Sequence, residues 1–316
     1  MKLHQIRDLL AVAQKGSLRA AARHLRVAQP SISRSIGQLE RELGVALLER
    51  QARGTVLTAS GKLFARRASA AASELQRARD ELEQLHGAGE GSVSAAFSSV
   101  PLLALLPGAL PPFQKRYPRV ELRIVESAFP AIEARLKDGT VDFYSGVSPD
   151  RMPSADLVFE KLFNNTRVVL ARQGHPLSNA KSLAELAEAR WVTTSITDDA
   201  AAEIADLFKL HGLPAPRLGA RVSGGVLGLI TMLAYTDLLA IVPQQWTQFS
   251  PVRETLRRLD LKEELAAPPI CIIRRAALPL TPAAEFLCDL LRRSSVQYAG
   301  TEPAVRRRRL DSGRRP

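Results

Sequence analysis

The chain has 316 residues, 46% of them hydrophobic and 24% charged, with two cysteines and a formal net charge of +12. That length suits two or three domains with real cores, and the balance excludes wholesale disorder and collagen-like structure. No apolar run is long enough to span a bilayer: the best candidate, Leu102–Leu110, is flanked and cut by Pro101, Pro107, Pro111 and Pro112. The first residues, Met1 to Gln5, lack the apolar core of a signal peptide. Cys271 and Cys288 give neither a disulfide framework nor a zinc spacing, so a reduced, cytoplasmic protein without a resident cofactor is expected.

The excess charge sits at the two ends. Residues 1–62 carry eleven Lys/Arg against four Asp/Glu, and residues 303–316 carry six Arg against one Asp. The 240 residues between carry 27 of each sign. A small basic unit on a neutral body points to a nucleic-acid-binding domain attached to something else.

In chain order, Ile6, Leu9, Leu10 and Ala13 recur with helical spacing and predict a helix over 3–15. Gly16 ends it, and the Ser17 hydroxyl caps a second helix, Leu18–Leu25. Arg26, Val27 and Ala28 make a turn. Pro30 suits the first turn of a third helix that runs to Leu43, with Ile32, Ile36, Leu39 and Leu43 inward. Val45–Leu57, with Arg50, Arg53 and Gly54 at its centre, reads as a β-hairpin, and Thr58 caps the helix that follows. In that helix Phe64, Ala68, Ala71, Leu75, Ala78, Leu82 and Leu85 are spaced 4, 3, 4, 3, 4, 3, a heptad seam suited to dimerisation. Gly87, Gly89 and Gly91 read as a flexible hinge.

From residue 92 strand-like and helix-like runs alternate. The strands are Val93–Phe97, Val120–Val125, Val141–Val147, Arg167–Ala171, Trp191–Thr194, Leu218–Val222, Leu239–Val242 and Ile270–Ile273; the helices are 102–116, 130–138, 182–188, 199–211, 224–235 and 281–297. This alternation predicts an α/β body of two βαβ subdomains with parallel sheets. The first covers 92–163 plus a returning 268–297, and the second covers 164–267. Residues 300–316, which include Arg306–Arg309, read as a disordered tail.

The strongest motif is Ser17–Glu42: two helices joined by a tight turn in basic surroundings, a helix-turn-helix packed through Ala21, Leu25, Val27, Ile32 and Ile36. Its second helix would lie in the major groove and present Gln29, Pro30, Ser31, Ser33 and Arg34. Gln pairs with adenine and Arg with guanine through two hydrogen bonds each. Arg50 and Arg53 on the hairpin would reach a phosphate or the minor groove.

The segment GSLRAAARHLRVAQPSISRSIGQLERELGVALLERQARGTVLTASG resembles the N-terminal domain of LysR-type transcriptional regulators, and LLPGALPPFQKRYPRVELRI also resembles that family. The resemblance implies a winged helix-turn-helix over 1–58, a linker and dimerisation helix over 59–87, and an effector domain like a periplasmic binding protein. It also implies a homodimer or homotetramer on an interrupted palindrome in double-stranded promoter DNA, a small-molecule effector, and RNA polymerase as a partner if the regulator activates. Ala28 departs from the family pattern, because many relatives place a capping hydroxyl there.

Three strand-to-helix junctions carry small hydroxyl residues: Ser98–Ser99, Thr194–Ser195 and Ser223 before Gly224. The resemblance brings them to one cleft, where helix N-termini would favour a small organic anion, a carboxylate or sulfonate. Phe129, after the second strand, is a candidate apolar wall there, with core packing the alternative. His4, His24, His86, His175 and His211 show no metal-ligand spacing, and Gly224, Gly225 and Gly228 do not form a dinucleotide fingerprint. The other classes weighed are a solute-binding protein without DNA function and an α/β enzyme. The basic N-terminal unit disfavours the first, and the missing nucleophile–base–acid set disfavours the second.

Overall fold

In a computed structural model of the chain, residues 1–51, 54–85, 90–149, 154–194, 200–222 and 225–299 are described. Arg53, Ser195, Ser223, the hinge glycines Gly87 and Gly89, and the Arg-rich tail lie outside them, as do the side chains of Arg50 and Leu85.

The head contains α1 (Leu3–Lys15), α2 (Leu18–Leu25), α3 (Gln29–Leu43) and a hairpin of β1 (Leu48–Gln51) with β2 (Gly54–Leu57). The caps act as the sequence suggests. Ser17 Oγ accepts from Ala20 N at 3.1 Å, Gly16 and Gly44 close α1 and α3 in the left-handed region, and Thr58 Oγ1 accepts from Gly61 N at 2.9 Å. Ala28 makes no side-chain cap for α3. Leu9, Val12, Ala21, Ile32, Ile36, Leu39 and Leu47 form the buried core, with Leu25 and Phe64 packed on it. Val27, Leu43 and Ala13 were expected inside and are exposed, because each falls at or beside a helix end where the chain turns away from that core.

The long helix α4 (Ala59–Leu85) leaves the head after packing against α1. The body follows: β3 (Glu90–Phe97), α5 (Ser99–Ala104), α6 (Leu106–Arg116), β4 (Arg119–Glu126), α7 (Glu133–Lys137), β5 (Phe143–Val147), β6 (Leu157–Arg172), β7 (Arg190–Thr194), α8 (Ala200–Leu210), β8 (Arg217–Val222), α9 (Val226–Tyr235), β9 (Leu238–Pro243), α10 (Ser250–Thr255), β10 (Leu256–Leu259), β11 (Leu265–Arg275) and α11 (Pro282–Ala299). Short 3-10 turns occupy Ala184–Leu186 and Gln244–Gln248.

The strands run in the order β4-β3-β5-β11-β6-β9-β7-β8, with β10 beside β6. Pairs β3/β4, β3/β5, β7/β8 and β7/β9 are parallel, as alternating strands and helices require. The sheet is nevertheless mixed, which corrects the all-parallel expectation. The long strands β6 and β11 run antiparallel to each other and join the two halves, and β11/β5, β6/β9 and β10/β6 are antiparallel too. The ladder between β6 and β11 shifts register between Ala267 and Ile270, across Pro268 and Pro269, which cannot donate ladder hydrogen bonds. The expected single helix over 102–116 is two, α5 and α6, broken at Leu105 before Pro107.

A buried charge cluster joins α4 to the body. Arg77 Nε donates to Asp142 Oδ1 at 2.7 Å, and its other nitrogens reach Glu74 and the Gly139 carbonyl. Arg275 pairs with the same Glu74, and Asp142 Oδ2 accepts from Ser94 N at 2.8 Å. Asp80, 3% exposed, accepts from Gln76 and from Ser92 N, and Gln84 accepts from Ala283 N at the start of α11. A Cβ at Gly139 would stand 2.7 Å from Arg77 Nη1, so only glycine leaves room for the guanidinium at that φ of +74°. Gly91, expected in a free hinge, is a β3 residue held against Asp80.

Candidate functional site

The exposed side of α3 follows from its periodicity. Ile32, Ile36 and Leu39 face the core, so Gln29, Pro30, Ser31, Ser33 and Arg34 face outward, and all five are exposed. Gln29/Ser33 and Pro30/Arg34 are i, i+4 pairs that share the first two turns of the helix. The polar side chains among them make no hydrogen bond or ion pair to the described residues, so their donors and acceptors remain available to base edges. The far end of α3 is tied down: Glu40 Oε1 accepts from Leu47 N at 2.7 Å and from Leu48 N at 3.0 Å, which fixes the start of the hairpin relative to α3. In the hairpin Arg50 pairs with Thr55 across the ladder.

The heptad seam divides. Phe64 packs on the head core and Ala68 is buried, so the first two seam positions serve the chain's own fold rather than a partner, because α4 begins against α1. Ala71, Leu75, Ala78 and Leu82 are exposed, Leu75 at 49% and Leu82 at 56%.

In the body, Ser98 caps α5 only through its position: its N–H donates to Ser145 O at 3.0 Å, and its hydroxyl makes no cap bond. Ser99 Oγ accepts from Trp246 Nε1 at 3.2 Å, a bond from one subdomain to the other. Thr194 is half-buried at the end of β7 opposite Val222. Glu126, at the end of β4, places its carboxylate 3.1 Å from where a Cβ on Gly225 would stand, at the N-cap of α9. Phe129 does not line an open wall. It is 8% exposed, packed edge-on to Tyr144 with centroids 5.2 Å apart, in a cluster with Ile132, Leu136, Val141 and Ile273. Core packing accounts for it. Burial pushes the Tyr144 phenol well above its ordinary value, aided by Cys271, and pushes the Cys271 thiol up to about 12. Among the described residues no group of His, Cys, Asp or Glu could hold a metal ion, and no helix is long and apolar enough to cross a membrane.

The family comparisons match both parts. Residues 3–62 match the bacterial regulatory helix-turn-helix protein model of the lysR family, and residues 86–295 match the LysR substrate binding domain. The chain belongs to the LysR family. This LysR-type regulator is 26% identical over 299 residues to the HTH-type transcriptional regulator GbpR of Azospirillum brasilense, covering 93% of this chain and 87% of that one. It is 27% identical over 295 residues to the SDS degradation transcriptional activation protein of a Pseudomonas strain, covering 92% and 95%. Full-length CbnR in complex with its target DNA has the same fold, with a TM-score of 0.69 at 23% identity over 93% of this chain and all of that one. The relatives are transcriptional regulators rather than enzymes.

Sequence reasoning about the LysR-type regulator missed three residues: Trp246, Glu126 and Arg77. Trp246 was hidden in a short 3-10 turn with no periodicity, and Arg77 lies 65 residues from its partner Asp142. Their chemistry was legible, but their partners are set by tertiary packing alone.

Proposed function

We propose that this regulator reads promoter DNA with Gln29, Ser31, Ser33 and Arg34, positioned by Pro30 and flanked by Arg50 and Arg53. The observation that carries this is the row of exposed polar side chains on α3 with no partner among the described residues, in the basic N-terminal unit. The exposed run Ala71, Leu75, Ala78 and Leu82 supports pairing of two α4 helices, which would place two recognition helices on an interrupted palindrome. A homotetramer would follow from a second pairing of such dimers, and RNA polymerase is the partner if bound DNA leads to activation.

The effector would enter between the subdomains, against Ser98, Ser99 and Thr194; Ser195 and Ser223, next in sequence to β7 and β8, are the further residues proposed to meet it. A carboxylate or sulfonate fits the α9 N-terminus, where Glu126 now supplies a negative charge that the effector would displace. In this reading the indole–hydroxyl bond between Trp246 and Ser99 also opens as the ligand enters. The test is calorimetric titration of the full chain with benzoate and benzenesulfonate. Binding of either that weakens at least tenfold in Ser99→Ala with Thr194→Val supports the site, and binding that survives both substitutions places it elsewhere.

A further inference from the structure

Beyond the head, α4 carries two different faces. Ala71, Leu75, Ala78 and Leu82 form the exposed apolar run, while Glu74, Arg77, Asp80 and Gln84, spaced 3, 3 and 4, form a polar stripe on another side of the helix. All four side chains of the stripe bond to one half of the body, the half around β3 and β5 with which β11 and α11 share a core. Arg77 holds Asp142 and the Gly139 carbonyl, and Glu74 holds Arg275. Asp80 accepts from Ser92 N at 3.2 Å, and Gln84 accepts from Ala283 N at 3.0 Å. The body is shaped to receive two of them. Gly139 and Gly91 both have positive φ, +74° and +126°, and an added Cβ would stand 2.7 Å from Arg77 Nη1 at the first and 3.0 Å from Asp80 Cγ at the second.

Strength alone does not explain a joint made this way. A buried ion pair replaced by apolar residues of similar volume is often neutral or stabilising. What the charges add is uniqueness: a helix turned or slid by one residue would leave Arg77 and Asp80 buried without these partners, whereas an apolar joint could slip at little cost. The other half of the body, around β7, β8 and β9, is attached differently. It joins through β6 and β11, whose ladder shifts register across Pro268 and Pro269, and through two side-chain bonds on the Gln244–Gln248 turn. Those bonds are Trp246 Nε1 to Ser99 Oγ and the Tyr298 hydroxyl to Gln248 Oε1 at 3.0 Å.

We propose that Glu74, Arg77, Asp80 and Gln84 form an orientation lock, which fixes the first half of the body to α4 at one angle and carries the coupling between the cleft and the head. In this device α4 and the first half move as one unit, and the second half, bending at the register break, is the part that moves as the cleft opens and closes. The state of the cleft then reaches α3 through the lock, and by linkage DNA on α3 acts back on the cleft by the same factor. The proposal rests on the reading of α3 as the DNA-reading helix and of the Ser99–Trp246 crossing as the cleft.

The experiment follows amide hydrogen exchange of the full chain with and without a duplex from the gene's own upstream region. The variants are Arg77→Ala with Asp142→Asn, which opens the lock without leaving a buried charge alone, and Glu74→Gln, which weakens it from the other side; Arg135→Ala, exposed on α7, is the control. In wild type, DNA that protects α3 should also shift exchange over 98–105 and 244–249 by about fivefold or more. In both lock variants α3 should stay protected by DNA, the shift at 98–105 and 244–249 should vanish, and the segments holding Ser92 and Ala283 should exchange about tenfold faster. A shift equal to wild type in the double variant would overturn the lock, because a merely structural joint leaves that coupling in place. A wild-type cleft that ignores bound DNA would overturn it as well. If the upstream duplex does not protect α3 in wild type, the DNA reading fails instead, and unchanged exchange at Ser92 and Ala283 in the variants would still overturn the lock.

Discussion

Replacing Arg77 with Ala tests the joint between the long helix and the body. The side chains of Arg77 and Asp142 are 12% and 9% exposed, and Arg77 is the cation bonded to Asp142. The change leaves Asp142 with the Ser94 N–H but no counter-charge, whereas Glu74 keeps Arg275. Removing one partner of a buried pair costs about 3–5 kcal/mol, and the surviving Ser94 bond argues for about 3 kcal/mol. For a domain of 150–250 residues that is a fall of about 6–12 °C in melting temperature. The pH dependence is more diagnostic. Burial holds the Asp142 carboxyl above its ordinary range, against the pull of Arg77 and Ser94. A carboxyl raised on folding binds its proton more tightly in the native state, so its contribution to stability falls as pH rises between the unfolded and folded values. Losing Arg77 raises the folded value further and extends that window upward. The variant should therefore lie close to wild type in acid, where Asp142 is neutral in both, and fall away toward neutral pH. Asp142→Asn in the same background should recover part of the loss. Calorimetry at a series of pH values reads all of this, and a pH-independent difference, or one below about 1 kcal/mol at neutral pH, would refute the buried-pair reasoning.

Three further outcomes follow. If the proposed α4 pairing holds, Leu75→Asp with Leu82→Asp should give a monomer by light scattering without lowering the melting temperature of the head, because both side chains are exposed in the single chain; an oligomer unchanged from wild type removes α4 from the interface. Gly61→Ala should destabilise the head by about 2 kcal/mol or more, since its Cβ would stand 2.0 Å from Leu47 O, a backbone atom that already accepts from Thr58 N; a neutral effect on head melting would show that this approach is not tight. Cys271 and Cys288 should resist maleimide at pH 7.5 and react only on unfolding, because burial raises both thiols; rapid native labelling would contradict their packing.

The parts of the fold that could be read from the sequence are those fixed locally. Ser17, Gly16, Gly44, Thr58 and Pro30 act within a turn of their own helices, so their roles appear in the order of residues, and the outward face of α3 follows from the spacing of Ile32, Ile36 and Leu39. The antiparallel crossing of β6 and β11 was not legible, because it pairs residues about a hundred positions apart and carries no turn signal. The same limit hid the Arg77–Asp142 and Trp246–Ser99 bonds. Phe129 shows a different limit: an aromatic residue beside a strand end suits a ligand wall or a core equally by sequence, and only the packing shows its ring completing the cluster around Tyr144. In the seam, heptad spacing identified the helix but could not separate Phe64 and Ala68, which pack inside the chain, from Leu75 and Leu82, which do not.

The central claim is that α3 reads DNA in a two-fold assembly, and footprinting of the gene's upstream region tests it most directly. Wild-type protein should protect two inverted half-sites centred one helical turn, about 34 Å, or a multiple of it apart, and Arg34→Ala should weaken that site by about 1–3 kcal/mol while leaving random duplex binding intact. Protection of a single half-site, or an Arg34→Ala loss equal on both duplexes, would contradict the account.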